Sequence, residues 1–187
     1  PIESEGTYPL PEAQVDRFML KVKVGYPSPA EEFVVVERML GLGEKTQAVL
    51  DPEHLLRLQK AADAVYVDPG IIQYAVRVAG ATREPGLLGL PDLGRLITFG
   101  ASPRASINMV LAARALAFLR GRDYALPEDA RDLALDILRH RLVLSYEALA
   151  DNVDPDDIVR AILAAVPLPD VEGRPRAAES IQWQPST

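Results

Sequence analysis

The sequence predicts a mainly helical chain, a bundle of helices preceded by a helical turn and one short strand, and three observations carry that prediction. A short polar residue followed by proline occurs five times, at Ser28-Pro29, Asp51-Pro52, Asp68-Pro69, Ser102-Pro103 and Asp154-Pro155. Ser or Asp can cap a helix, and proline is tolerated at its first position because the N–H it lacks would be unpaired there anyway. Each pair is followed by apolar residues at helical spacing. Only Phe18-Met19-Leu20-Lys21-Val22-Lys23-Val24 reads as a strand, ended by Gly25-Tyr26-Pro27.

Taken in order, Leu10-Pro11-Glu12-Ala13-Gln14-Val15 is a helical turn that runs into this strand. A lone strand leaves backbone groups unpaired, so Leu142-Val143-Leu144 or a sheet from outside the sequence must complete it. The outside sheet is the preferred partner. The five Ser/Asp-Pro helices follow, and Leu126-Pro127-Glu128-Asp129 opens a sixth with acidic residues in its first turn. Five apolar faces are predicted to form the bundle core. They are Leu55, Leu58, Ala62, Val65; Ile72, Ala75, Val76, Ala79; Ile107, Val110, Leu111, Phe118; Ala130, Leu133, Ala134, Ile137, Leu138; and Ile158, Val159, Ile162, Val166. Residues 171 to 187 read as a polar tail whose Trp183 is held by a surface of this chain or of a neighbour.

The 187 residues suffice for one domain with a core, or for a small piece of one domain joined to a second. With 48% apolar and 25% charged residues the composition is that of a folded globular protein. A net charge of -7 argues against broad nucleic-acid binding, which draws on a basic face. There is no cysteine, which excludes disulfides and thiolate metal sites and fits a cytoplasmic location. No apolar run approaches the roughly 20 residues of a membrane-spanning helix. No signal peptide is visible, and a start at Pro1 without methionine suggests a fragment.

Two arginines are candidates for chemistry. In Gly100-Ala101-Ser102-Pro103-Arg104 the serine caps a helix and Arg104 falls in the first turn, where a cation opposes the helix dipole unless an anion lies nearby. Free N–H groups beside a guanidinium suit a phosphate. A solvated arginine, or one paired with a carboxylate, is the competing reading. Arg17, beside Asp16 where the chain enters the strand, could reach a neighbouring subunit as an arginine finger or could form a surface ion pair of little energetic value. His54 and His140 lie far apart, so no metal site is expected, and His140 reads as a surface or capping residue. The acidic runs Glu31-Glu32, Glu128-Asp129 and Asp154 to Asp157 read as favourable charges at helix starts.

The run Pro-Ile-Glu-x-Glu-Gly-Thr-Tyr-Pro-Leu-Pro-Glu-Ala-Gln-x-Asp-Arg-Phe from Pro1 to Phe18 resembles the segment after sensor 1 in MoxR-family AAA+ ATPases. Asp68-Pro69, Ala81-Thr82-Arg83, Gly100 to Arg104, Gly121-Arg122-Asp123-Tyr124 and Leu138-Arg139-His140-Arg141-Leu142 follow in the order of that family's lid. The resemblance implies that residues 1–26 end an αβα nucleotide-binding core, that 27–169 form the helical lid with sensor 2, and that 170–187 form a tail. It implies that Arg17 is the catalytic arginine finger acting on ATP in the next subunit and that Arg104 is the sensor-2 arginine near the γ-phosphate, in cis or in trans. Arg83 matches a family motif without an implied role.

The departure is that no Gly-x-x-x-x-Gly-Lys-Ser/Thr occurs, so the sequence by itself lacks the phosphate cradle and is not expected to hydrolyse ATP. The magnesium-holding carboxylates and the sensor-1 asparagine would precede Pro1. For the intact protein the resemblance implies ATP and Mg²⁺ as cofactors, a homo-oligomeric, hexameric ring, chaperone-like remodelling or cofactor insertion, and von Willebrand factor A domain partners. Two other functions compete: a non-catalytic helical module that binds a protein partner, and a truncated regulator that enters the ring of a full-length paralogue.

Overall fold

The computed structural model describes residues 10–42 and 47–171, and the expectations for Pro1 to Pro9 and for Trp183 in the tail lie outside the described residues. All six predicted helix starts are present. Five become α2 (Pro29–Glu37), α3 (Pro52–Asp63), α4 (Pro69–Arg83), α6 (Pro103–Leu119) and α10 (Pro155–Ala165). Each has proline in its first turn and a capping side chain: Ser28, Asp51, Asp68, Ser102 and Asp154 accept from a backbone N–H two or three residues on. The sixth, α7 (Pro127–Asp132), is capped in reverse, with the Asp129 carboxylate accepting the Leu126 N–H at 2.8 Å.

The helical turn is α1 (Glu12–Val15). Three short helices were not anticipated as separate elements: α5 (Pro91–Leu96), α8 (Ala134–Leu138) and α9 (Tyr146–Ala150). The face from Ala130 to Leu138, read as one helix, is divided between α7 and α8 at Leu133. Two strands, β1 (Ile97–Phe99) and β2 (Val143–Leu144), pair antiparallel, Ile97 opposite Leu144. A parallel bridge between Tyr66 and Tyr124 ties the Gly121 to Tyr124 turn to the residues before α4.

The core lies between α4 and α6, closed by α7, α8 and α10. The last two predicted faces hold, with Ala130, Ala134, Ile137, Leu138, Ile158, Val159, Ile162 and Val166 buried. In α4 and α6 the buried face is rotated from the prediction. It comprises Ile71, Tyr74, Ala75, Val78 and Ala79 against Ala105, Met109, Ala112, Ala113 and Ala117, while Ile72, Val76, Ile107 and Leu111 are exposed. The alanines let the two backbones approach closely, so small residues take the seam that large ones were expected to fill. The α3 face is likewise not core: no residue of α3 is buried, and only Val65 beyond its end enters.

The expected strand Phe18 to Val24 is not formed among the described residues. The segment begins with a bend at Phe18 and Met19 and has no ladder, and Val143 and Leu144, within its possible partner Leu142 to Leu144, pair with β1 instead. Side chains donate to the carbonyls of Phe18, Met19 and Lys21, the Phe18 N–H donates to the Val15 carbonyl at 3.1 Å, and the Lys21 N–H donates to the Asp136 carbonyl at 2.8 Å. Val22, Val24 and Tyr26 are largely exposed.

Candidate functional site

Two motifs far apart in the sequence form one unit at the end of α4 and the start of α6. The Thr82 hydroxyl donates to the Ala79 carbonyl at 2.7 Å and accepts the Ala101 N–H at 2.8 Å, and Arg83 donates to the Ala101 carbonyl at 2.7 Å. Arg83 thereby acquires a structural role, fixing the loop that leads into α6 and so to Arg104. Gly100 is required by this close approach, because a Cβ there would lie 2.4 Å from the Thr82 carbonyl oxygen. Backbone cannot yield as a flexible side chain would, so Gly100→Ala is expected to cost about 1–3 kcal/mol of stability, measured by denaturant unfolding.

From this base α6 presents Ser102 and Arg104 towards Asp16, the residue that ends α1. Ser102 Oγ donates to both Asp16 carboxylate oxygens at 3.0 and 2.9 Å while accepting the Arg104 N–H at 3.2 Å. The Arg104 guanidinium donates to Asp16 Oδ2 at 2.9 Å, and Arg141 Nε donates to Oδ1 at 3.1 Å. Of the readings open for Arg104, the structure therefore contains the pairing with a carboxylate, and the cation at the helix start is compensated by Asp16. Burial alone would raise the Asp16 pKa, but the hydrogen bonds from Arg104 and Ser102 and the charge of Arg141 outweigh it and hold the carboxyl below its ordinary value.

The two arginines on Asp16 differ in burial. The Arg141 side chain is fully buried, whereas that of Arg104 is 52% exposed. Arg17, the next residue after Asp16, is exposed and makes no side-chain hydrogen bond or ion pair among the described residues. Its expected surface pair with Asp16 is absent, because Asp16 turns to Arg104, Arg141 and Ser102. A cleft of about 510 Å³ opens beside the cluster, lined by Asp16, Gly100, Ser102, His140, Arg141 and Leu144 among others.

Arg139, His140 and Arg141 clamp the segment that follows Arg17. Arg141 donates to the carbonyls of Asp16 (3.0 Å), Phe18 (2.5 Å), Met19 (3.3 Å) and, within its own turn, Ile137. His140 Nε2 lies 3.0 Å from the Phe18 carbonyl and Arg139 donates to the Lys21 carbonyl at 2.6 Å. His140 is thus partly buried and holds the Phe18 carbonyl rather than capping a helix. A carbonyl can only accept, so Nε2 carries the proton, and Nδ1 is buried without a partner. Burial lowers the imidazole pKa, against the opposing effect of the Phe18 hydrogen bond.

Two of the acidic runs do more than favour a helix dipole. Asp129 is fully buried and binds Arg122 at 2.6 Å and Arg120 at 2.8 Å. Asp156 binds Arg139 at 2.9 Å and Lys23 at 2.9 Å, with Lys23 also reaching Asp154, so the N-terminal segment is tied to α10 as well as to α8. Among the described residues there is no cluster of three or more histidine, cysteine or carboxylate side chains suited to a metal ion, and no helix long and apolar enough to cross a membrane.

Sequence reasoning located Arg17 and Arg104 but missed Asp16, Arg141 and Thr82 as parts of the same site. Their partners are up to 125 residues away, and no local pattern encodes such a pairing. The one available sign was Arg104 itself, a cation at a helix start that implied a nearby anion.

Comparison with known proteins agrees with this architecture. Residues 94–162 match the AAA lid domain. The chain is 48% identical over 97% of its length to a protein of Mycobacterium tuberculosis named chaperone MoxR1, covering 48% of that protein. It is 35% identical over 90% of its length to the protein MoxR of Methylorubrum extorquens, covering 53% of it. The crystal structure of an ATPase candidate from Cytophaga hutchinsonii superposes with a TM-score of 0.86 at 38% identity, over 91% of this chain and 52% of the other. The chain spans about half the length of the relatives it matches. Ordered motifs, lid fold and relatives agree that the chain belongs to the MoxR family of AAA+ proteins.

Proposed function

We propose that this chain serves as the lid and arginine-finger half of a MoxR-type AAA+ ATPase, which forms a cytoplasmic homo-oligomeric ring and couples ATP hydrolysis to chaperone-like remodelling or cofactor insertion. The observation that carries this reading is the ion pair between Arg104 and Asp16, which brings Arg104 beside the residue that directly precedes Arg17 although the two arginines are far apart in sequence. Both guanidinium groups are exposed, which suits groups that act on a ligand held elsewhere. Arg17 is the finger that stabilises charge on the phosphoryl group in transfer, and Arg104 binds the terminal phosphate as sensor 2.

The residues present suit a polyphosphate: an exposed arginine in the first turn of the seventeen-residue α6, held by a single ion pair. Among the described residues there is no magnesium site, and the family resemblance assigns the phosphate cradle and the metal carboxylates to a part of the protein outside this sequence. Mg²⁺, when bound there, neutralises developing charge on the phosphates. Since Arg17 follows Asp16 directly and Arg104 pairs with Asp16, we read both arginines as serving one nucleotide, that of the adjoining subunit. In this scheme the division falls near residue 26, with the preceding segment belonging to the core and the following helices to the lid, and the clamp by Arg139, His140 and Arg141 joins the two.

The family resemblance points to von Willebrand factor A domain proteins as partners. A protein-docking role is separately favoured by α2, which buries no residue and exposes Phe33, Val34, Val35 and Val36. Replacing Arg104 with alanine in the full-length ATPase separates the two roles. The nucleotide reading expects turnover to fall by about 10-fold or more, on the scale of a lost charge-assisted phosphate contact, with partner binding unchanged. Unchanged turnover would leave the docking role as the function of this chain.

A further inference from the structure

The pairing of Arg104 with Asp16 has a feature that a structural ion pair does not need: one of its two members is replaceable. The Asp16 carboxylate is 17% exposed and accepts from three donors. If Arg104 left, Arg141 and Ser102 would still neutralise and hydrogen-bond the carboxylate, so no unpaired charge would be stranded. Arg141 cannot leave in the same way, being fully buried and committed to four backbone carbonyls. Arg104 is half exposed, and among the described residues its only side-chain bond is to Asp16. An exposed pair of this kind is worth little and yields readily to a more highly charged anion. The Ser102 hydroxyl keeps the α6 cap and the Asp16 contact whichever way Arg104 points.

We propose that Asp16 is a positioning residue that holds the Arg104 guanidinium in the absence of nucleotide and gives it up to the γ-phosphate of ATP, with Arg141 retaining the carboxylate when Arg104 departs. This rests on the reading of Arg104 as a γ-phosphate contact. Asp16 then acts as an internal competitor for the phosphate. It lowers affinity for the triphosphate and leaves the diphosphate, which lacks the group that displaces it, unaffected. Because Arg17 is the adjoining residue, exchange of Arg104 also occurs directly beside the finger.

The test is the affinity of the full-length ATPase for a non-hydrolysable ATP analogue and for ADP, by calorimetry, in wild type, Asp16→Asn, Arg104→Ala and the double variant. Asp16→Asn is expected to tighten binding of the ATP analogue by about two- to fivefold, the scale of one exposed ion pair, and to leave ADP binding unchanged. In the Arg104→Ala background the same substitution is expected to change neither. A purely structural Asp16 would weaken both nucleotides together, and that result overturns the proposal, as does a gain that persists without Arg104. If Arg104→Ala by itself leaves the ratio of the two affinities unchanged, the γ-phosphate reading fails. If Arg104→Ala changes that ratio and Asp16→Asn does not, the clasp alone fails. Should Asp16→Asn not fold because Arg141 loses its partner, Asp16→Asn/Arg141→Gln removes both charges and keeps amide donors for the carbonyls, with the same shift in ratio expected.

Discussion

Replacing Arg17 with alanine in the full-length ATPase is expected to slow ATP turnover by about 10³-fold or more, with nucleotide affinity retained. The expected effect is large because a finger acts on charge that develops only during transfer, so its loss raises the barrier without weakening the ground state. Structural damage is not expected. Arg17 is exposed and free of side-chain partners among the described residues, so its removal breaks no internal contact and leaves the fold's stability nearly unchanged. Steady-state turnover together with equilibrium nucleotide binding checks both halves of this prediction. Equal loss of binding and turnover would instead indicate that Arg17 holds the ground-state nucleotide.

Arg141→Met is expected to have the largest effect on stability, about 3–5 kcal/mol in denaturant unfolding. The Arg141 side chain is fully buried, and deleting its charge leaves Asp16 with only the half-exposed Arg104 and Ser102 while orphaning the carbonyls of Asp16 and Met19 and leaving that of Phe18 to His140 alone. Removing one member of a buried pair costs far more than the pair is worth, because the remaining polar groups have lost their water and gained nothing. The consequence is also functional. The segment from Asp16 to Lys21 is held by Arg139, His140 and Arg141 rather than by a ladder, so losing Arg141 frees the residues beside Arg17. Turnover is expected to fall in this variant even under conditions where it remains folded. A fully stable variant would show that the clamp contributes nothing to holding the segment.

The positions of the helices were legible because Ser-Pro and Asp-Pro pairs encode helix starts locally, and every such pair opens a helix. The buried face of α10 was legible for the same reason, since Ile158, Val159 and Ile162 repeat with the helix itself. The seam between α4 and α6 was not. Its alanines carry too little hydrophobicity to stand out, and which side of an apolar helix is buried depends on what lies opposite. Phe18 to Val24 has the composition of a strand, but a ladder needs a partner strand, and the described residues provide side-chain donors instead. Arg17 and Arg104 could be picked out from motif and helix position. Asp16 and Arg141 became visible only once the chain had folded back across more than a hundred residues to join them.

Subunit mixing tests the central claim most directly. One full-length variant carries Arg17→Ala with an intact phosphate cradle, and the other carries intact Arg17 with the lysine of the cradle replaced. Each is expected to be nearly inactive as a homogeneous ring. A finger that acts on the neighbouring subunit restores complete sites wherever the two kinds of subunit meet in the right order, so mixed rings are expected to regain a substantial fraction of wild-type turnover. Mixed rings as inactive as either parent would contradict the account, because they would show that Arg17 does not serve the nucleotide of an adjoining subunit.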